Sequence, residues 1–295
     1  MISAGTVQAW GRWIKVTRSR CHLHFELDEG HLDQHLILGR DVGRRTAIRA
    51  AGDMSGVPAA ILEVGSSVGF NCIALAELFP KARVVGIEPD GEACEVAVAM
   101  AADFDNKNAE FVQGFGERMP FPDETFDWII CHTVIEHVDD VNACIAEMVR
   151  LLRPGGYIHL EAPNYLWPWE PHLGIAMPPL CPKPLMRLLA RMQGAGADVH
   201  YAEHLKLVHP GWLERCFTQH GLHVTNRVEE KLRMAASGDR RHVVAYGRAA
   251  RLLTILQSVG LARWVIGSLL YFGVYPSLLY TACKQSSNTS ELSDC

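Results

Sequence analysis

The chain has 295 residues and a mass of 32.7 kDa, with 48% hydrophobic and 21% charged residues, enough for one large core or for one core with a smaller appendage. A net charge of -5 and a pI near 6.3 exclude the basic footprint that phosphate backbones attract, so no nucleic-acid partner is expected. The nine cysteines form no CxxC pair or short metal-ligand spacing, and the N-terminal stretch has no continuous apolar core of signal-peptide length, which reads as reduced thiols in a cytoplasmic protein.

Residues 1–58 form a lead-in, with one helix expected around Leu32–Ala51. From 59 to 247 the apolar runs "AAILEV", "ARVVGIE", "EFVQG", "DWIICH" and "GYIHLEAP" read as strands between helical patterns. The clearest helix is Asp140–Leu152, where Val141, Ile145, Met148 and Leu152 share one face. That alternation predicts an α/β fold, a Rossmann-like, doubly wound sheet wrapped on both faces. A Pro-, Trp- and His-rich stretch opens an insertion over about 164–210, expected to be a lid. "LHVTNRV" and "HVVAYG" are expected to close the sheet near Gly247, and 285–295 to be a disordered tail.

Residues 248–284 read as an apolar helical C-terminal segment, in which Arg263 is the only charge between Arg251 and Lys284. As one helix, Val265–Ala282 would be about 27 Å long, close to a bilayer core of about 30 Å. Gly267, Gly273 and Pro276 interrupt it, and aromatic residues are frequent, as at a membrane interface. Three readings stand: a membrane-dipping hairpin touching the surface through 252–283, a true span, and apolar helices packed on the domain or on a dimer partner.

The chemistry-bearing stretch is "ILEVGSSVGFN", Ile61–Asn71. A strand ending at Val64 followed by Gly65 and Gly69 lets the backbone turn sharply and approach a ligand at the carboxyl edge of a parallel sheet. No Gly-Lys-Ser/Thr follows and the GxGxxG spacing is missing, so neither a Walker loop nor a classical dinucleotide site is present. "VVGIEPD" ends the next strand with Glu88, an acid placed to accept both hydroxyls of a ribose.

With "ILEVGSSVG", "VVGIEPD", "GFGERMPFPDETFDWIICHTVIEHVDD" and "EMVRLLRPGGYIHLEAPN" in this order, most of Ala59–Gly247 resembles the class I S-adenosylmethionine-dependent methyltransferases, of the type 11/12-like small-molecule or lipid kind. The resemblance implies a seven-stranded sheet whose last pair is an antiparallel hairpin. It places Glu63, Gly65, Ser67 and Gly69 around the methionine part of S-adenosylmethionine, Glu88 on its ribose and Pro89 near its adenine. Phe115, Gly116 and Glu117 would face the adenine, and His132 would line the methyl donor. Two departures stand out: Ser67 replaces the usual glycine, tolerable if its backbone angles are ordinary and its hydroxyl caps the helix start, and Phe115 replaces the usual aspartate. Losing that acceptor would cost about 0.5–1.5 kcal/mol, partly returned by stacking.

Methyl transfer from a sulfonium needs alignment and, for an oxygen or nitrogen acceptor, a base. His172 in "WEPHLG" is the first catalytic candidate, with His132 and Asn164 beside it; Glu161, Tyr165 and Glu170 are also in reach by position. Glu136 and His137 resemble a segment of quinone-type O-methyltransferases in which neighbouring acids help bind a divalent ion. Thr133 stands where one acid would be wanted, so no metal is expected. The expectation is methylation of oxygen on a small or lipid-linked acceptor; the alternative is a catalytically silent, membrane-associated binding protein on the same fold.

Overall fold

The structure, a computed structural model, describes residues 2–21, 31–195, 201–238 and 247–285. Helices α1 (Ala4–Cys21) and α2 (Leu32–Asp53) precede a β/α alternation: β1 (Ala60–Val64), α3 (Phe70–Leu78), β2 (Arg83–Glu88), α4 (Gly91–Asp103), β3 (Ala109–Gln113), β4 (Phe126–His132), α5 (Val141–Leu151) and β5 (Leu152–Pro163). Then follow the small hairpin β6 (Trp169–Glu170) and β7 (Ile175–Ala176), and helices α6 (Lys183–Met192), α7 (Tyr201–His204) and α8 (Pro210–Gln219). Strand β8 (Leu222–Asn226), helices α9 (Val228–Ser237), α10 (Gly247–Ser258) and α11 (Ala262–Phe272), and strand β9 (Ser277–Lys284) complete the order.

The main sheet has seven strands in the order β3-β2-β1-β4-β5-β9-β8. Its first five are parallel, and β9 runs antiparallel to both β5 and β8. Every residue of β1 is buried, as expected of a central strand covered on both faces. Helix α5 starts where Asp140 accepts the Ala143 N–H, and it buries Val141, Cys144, Ile145 and Met148 against the sheet. The strand order reverses between β1 and β4, and a parallel sheet opens a crevice at the carboxyl ends of such a pair.

The last hairpin is not the one expected. Its second strand is Ser277–Lys284, from the stretch read as helix and membrane contact, while "HVVAYG" lies largely outside the described residues. The segment over 248–284 is helical in α10 and α11 but not beyond Phe272. Helix α11 stops at Phe272 because Gly273 caps it at φ 67, and Pro276 then leads the chain into an extended strand. Ser277–Cys283 is buried throughout, so its apolar run is that of a strand enclosed by two neighbours. Among the described residues no helix is long and apolar enough to cross a membrane. The expected tail beyond Gln285 lies outside the described residues. Among the described residues six cysteines, Cys72, Cys131 and Cys144 among them, are free and buried.

Candidate functional site

The turn after β1 and the end of β2 meet. The N–H groups of Gly65 and Ser66 donate to the Ile87 carbonyl at 2.8 and 3.1 Å, and the Ser67 N–H donates to Glu88 Oε2 at 2.9 Å. Glu88 Oε1 accepts the Asp90 N–H at 3.1 Å, so each carboxylate oxygen has one partner and retains a second acceptor position. Gly65 and Gly69 sit at φ 70 and 81, and a Cβ on Gly65 would come within 2.2 Å of Val134. The turn is therefore pinned beneath the loop that follows β4.

Ser67 also adopts a left-handed backbone, φ 48, and the start of α3 has no side-chain cap. Both conditions under which the serine was expected to be harmless fail. A non-glycine residue there costs on the order of 1 kcal/mol, which is the physical reason a glycine is usual at that place. Phe115 is 64% exposed and does not fill the crevice; its ring is open to a planar ligand.

The other residues expected at the cofactor make contacts within the chain. Glu63 is buried, with Asn71 Nδ2 donating to one oxygen at 2.7 Å and the Cys72 thiol to the other at 2.9 Å. Burial outweighs these hydrogen bonds and pushes its pKa up to about 7. It ties β1 to the start of α3 from below. The Pro89 carbonyl accepts Gln113 Nε2 at 3.0 Å, a Cβ on Gly116 would stand 2.8 Å from Cys144 Sγ, and Glu117 accepts the Asp139 N–H at 2.6 Å. Asn164 is committed at both ends of its amide, donating to Gly273 O at 2.8 Å and accepting from Leu166 N at 3.0 Å. In doing so it fastens the end of β5 to the chain entering β9.

His132, at the end of β4, heads a chain of buried groups. Its Nε2 lies 2.7 Å from His159 Nδ1, and His159 Nε2 lies 2.7 Å from Asp53 Oδ2 on α2. Burial, with the neighbouring His159, holds the His132 pKa well below the usual histidine range, so the ring is neutral near pH 7. Beside it Glu161 is gripped by Arg49 from α2 and Lys231 from α9, and Lys231 also reaches Ser277 Oγ at 3.0 Å. Burial alone would raise the Glu161 pKa, but Lys231 and Arg49 hold it well below the ordinary carboxylate range. No sequence pattern joins residues this far apart along the chain.

On the other side of the β4 exit, His172 Nδ1 lies 2.6 Å from Glu170 Oε1, and Tyr165 donates to the same oxygen at 3.4 Å. The Leu173 N–H holds Glu170 Oε2. His172 Nε2 and His137 Nε2 each stand 3.7 Å from Glu136 Oε1, and the two imidazole rings pack edge to face at 5.0 Å. His172 thus lies against the loop that follows β4. Glu170, two residues away, is its hydrogen-bond partner, a pairing that the sequence reading did not make. A groove of about 520 Å³ bounded by Ile37, Arg40 and Phe104 is lined by none of the residues expected at the site.

Residues 62–160 match the family model described as a methyltransferase domain. Over this third of the chain the sequence is that of a methyltransferase domain. Outside that span the domain is extended by α1 and α2 in front and by β8 and β9 behind, which complete the sheet. Over 96 residues the chain is 31% identical to the uncharacterized methyltransferase YcgJ of Bacillus subtilis, a match covering 32% of this chain and 37% of that one. The YcgJ crystal structure superposes with a TM-score of 0.50 at 17% identity over 82% of this chain and 99% of that one. Phosphoethanolamine N-methyltransferase 2 of Haemonchus contortus, solved with S-adenosyl-L-methionine, gives a TM-score of 0.52 at 14% identity, covering 82% and 52%. The chain spans well under two thirds of the length of the curated relatives it matches first.

Proposed function

We propose that the chain is an S-adenosylmethionine-dependent methyltransferase acting on an oxygen of a small or lipid-linked acceptor. The observation that carries this reading is the convergence of the Gly65–Gly69 turn on Glu88, at the sheet's reversal point, with acceptor capacity still open on the carboxylate. Glu88 is suited to two ribose hydroxyls, the glycines to close backbone approach, and the exposed Phe115 ring to stacking on adenine. The bound cofactor supplies a methyl group already activated on a sulfonium. The chain's own part is to hold donor and acceptor in line and to exclude water. His132, a neutral ring bonded to His159, would border the donor, and His172, steadied by Glu170, would face the acceptor from the insertion.

The test is methyl incorporation from labelled S-adenosylmethionine across lipid, quinone, sugar and phenolic acceptors. One class should be methylated, and His172→Ala should cut turnover by about 100-fold, the cost of misplacing a group at the reacting centre, while leaving cofactor affinity within twofold. Binding without transfer to any acceptor would instead support the silent scaffold.

Exposed Ile255, Val259, Trp264, Tyr271 and Phe272 on α10 and α11 and in the turn between them support contact with a lipid surface. Ending the chain near Arg251 would delete β9 from the sheet, so substitution is the sounder test. The intact chain should float with anionic liposomes and a variant with Trp264, Tyr271 and Phe272 changed to serine should not; equal partitioning contradicts the contact.

A further inference from the structure

We propose that Glu136, His137 and His172 form a binding site for a divalent transition-metal ion, zinc or manganese, between the loop after β4 and the β6–β7 hairpin. The starting observation is Glu136. Its side chain is wholly buried, and neither carboxylate oxygen has a hydrogen-bond partner. The other buried acids nearby are fully served: Glu161 by two cations, Glu63 by an amide and a thiol, Glu170 by a histidine, a tyrosine and a backbone N–H. A buried carboxylate without such partners costs several kcal/mol, a cost that either protonation or a bound cation removes.

The geometry is that of a ligand set. The two 3.7 Å separations between Glu136 Oε1 and the imidazole Nε2 atoms are too long for hydrogen bonds. Ligands bonded at about 2.0–2.2 Å to one tetrahedral ion stand roughly 3.3–3.6 Å apart, so both separations are nearly those of a filled site. One ligand atom from each of the three residues lies within 4.8 Å of the others. Glu170 completes the arrangement from outside: bonded to His172 Nδ1, it fixes the tautomer whose Nε2 lone pair faces Glu136.

Two imidazoles and one carboxylate suit zinc, manganese or ferrous iron better than the all-oxygen preference of magnesium or calcium. Three protein ligands leave a coordination position open, as in catalytic rather than structural sites. Two ligands come from the loop that packs on the Gly65 turn through Val134, and the third from the insertion. The Glu136 carbonyl also accepts the Lys206 N–H at 2.7 Å, so the ion would join the insertion to the sheet edge where that contact already begins. Offering the open position to an acceptor oxygen is a role that rests on the methyl-transfer reading; the site itself does not. The expectation of no metal looked for ligands along one loop, where Thr133 is unsuitable; the third ligand comes from beyond β5.

The tag-free full chain, stripped with chelator, is titrated calorimetrically with Zn²⁺ and with Mn²⁺, and its Co²⁺ form is examined by visible absorption. Expected are one ion per chain, a cobalt spectrum of low-coordinate nitrogen and oxygen ligation, and a rise in Tm on zinc addition. Glu136→Gln, which retains shape in a buried position, should weaken binding by at least about 100-fold, and Glu170→Gln by about 10–100-fold, the usual cost of removing a group that orients a ligand. Absence of stoichiometric binding, or equal binding by wild type and Glu136→Gln, overturns the site. S-adenosylmethionine binding to the stripped chain should be unchanged, which keeps failure of the metal site distinct from failure of the methyltransferase reading.

Discussion

Glu161→Ala should destabilise the chain by about 3–5 kcal/mol, the range for removing one partner of a buried ion pair. The carboxylate stands between Arg49 and Lys231, and all three side chains are buried, so its loss leaves two cations facing each other in a medium that solvates neither. Three elements depend on this one group: α2, β5 and α9. Denaturant unfolding of wild type and variant at pH 7 measures the difference, and a loss below 1 kcal/mol contradicts the role. The pH dependence has a definite sign. Because the folded-state pKa of Glu161 is depressed, its contribution is fully present above the unfolded value of about 4.3 and is lost as pH falls toward the folded value. The gap between wild type and variant should therefore hold from pH 8 to about 5 and shrink below about 4. Replacing Arg49, Glu161 and Lys231 together with apolar residues should recover much of the loss, since the cost lies in leaving charges unmatched.

Glu88→Ala should raise the Kd for S-adenosylmethionine by at least tenfold and on the order of 100-fold. Two hydrogen bonds from ribose hydroxyls to a carboxylate are each worth about 1.5–3 kcal/mol, and about 1.4 kcal/mol is a factor of ten. The same change removes the acceptor of the Ser67 N–H, and Ser67 already carries a strained left-handed backbone. The turn should therefore loosen as well, with faster amide exchange at Ser67. Unaltered affinity would mean that the carboxylate only supports the loop.

Strands β1, β2 and β4 could be read from the sequence because each is a short, largely buried apolar run closed by a turn, β3 and β5 because they follow in the same alternation, and α5 because Asp140 marks its start. Strand β9 could not. "SLLYTAC" follows an amphipathic helix without a polar break, and only its insertion between β5 and β8, both distant in sequence, makes it a strand. Of the site, Gly65, Gly69 and Glu88 were legible from spacing, since the turn and the next strand end are neighbours in any parallel sheet of this order. The roles of Glu63, Asn164 and Glu117 were not, because nothing local shows which partners occupy their polar atoms in the folded chain. The meeting of His172 with Glu136 and His137 depends on how the insertion folds back over the sheet edge, which no local pattern shows.

The most direct measurement is calorimetric titration of the full chain with S-adenosylmethionine and with its demethylated product. A pocket built from the Gly65–Gly69 turn and Glu88 predicts saturable heat at one site per chain for both ligands, with a matching rise in Tm. No heat and no thermal shift at millimolar ligand would contradict cofactor binding and leave only the fold.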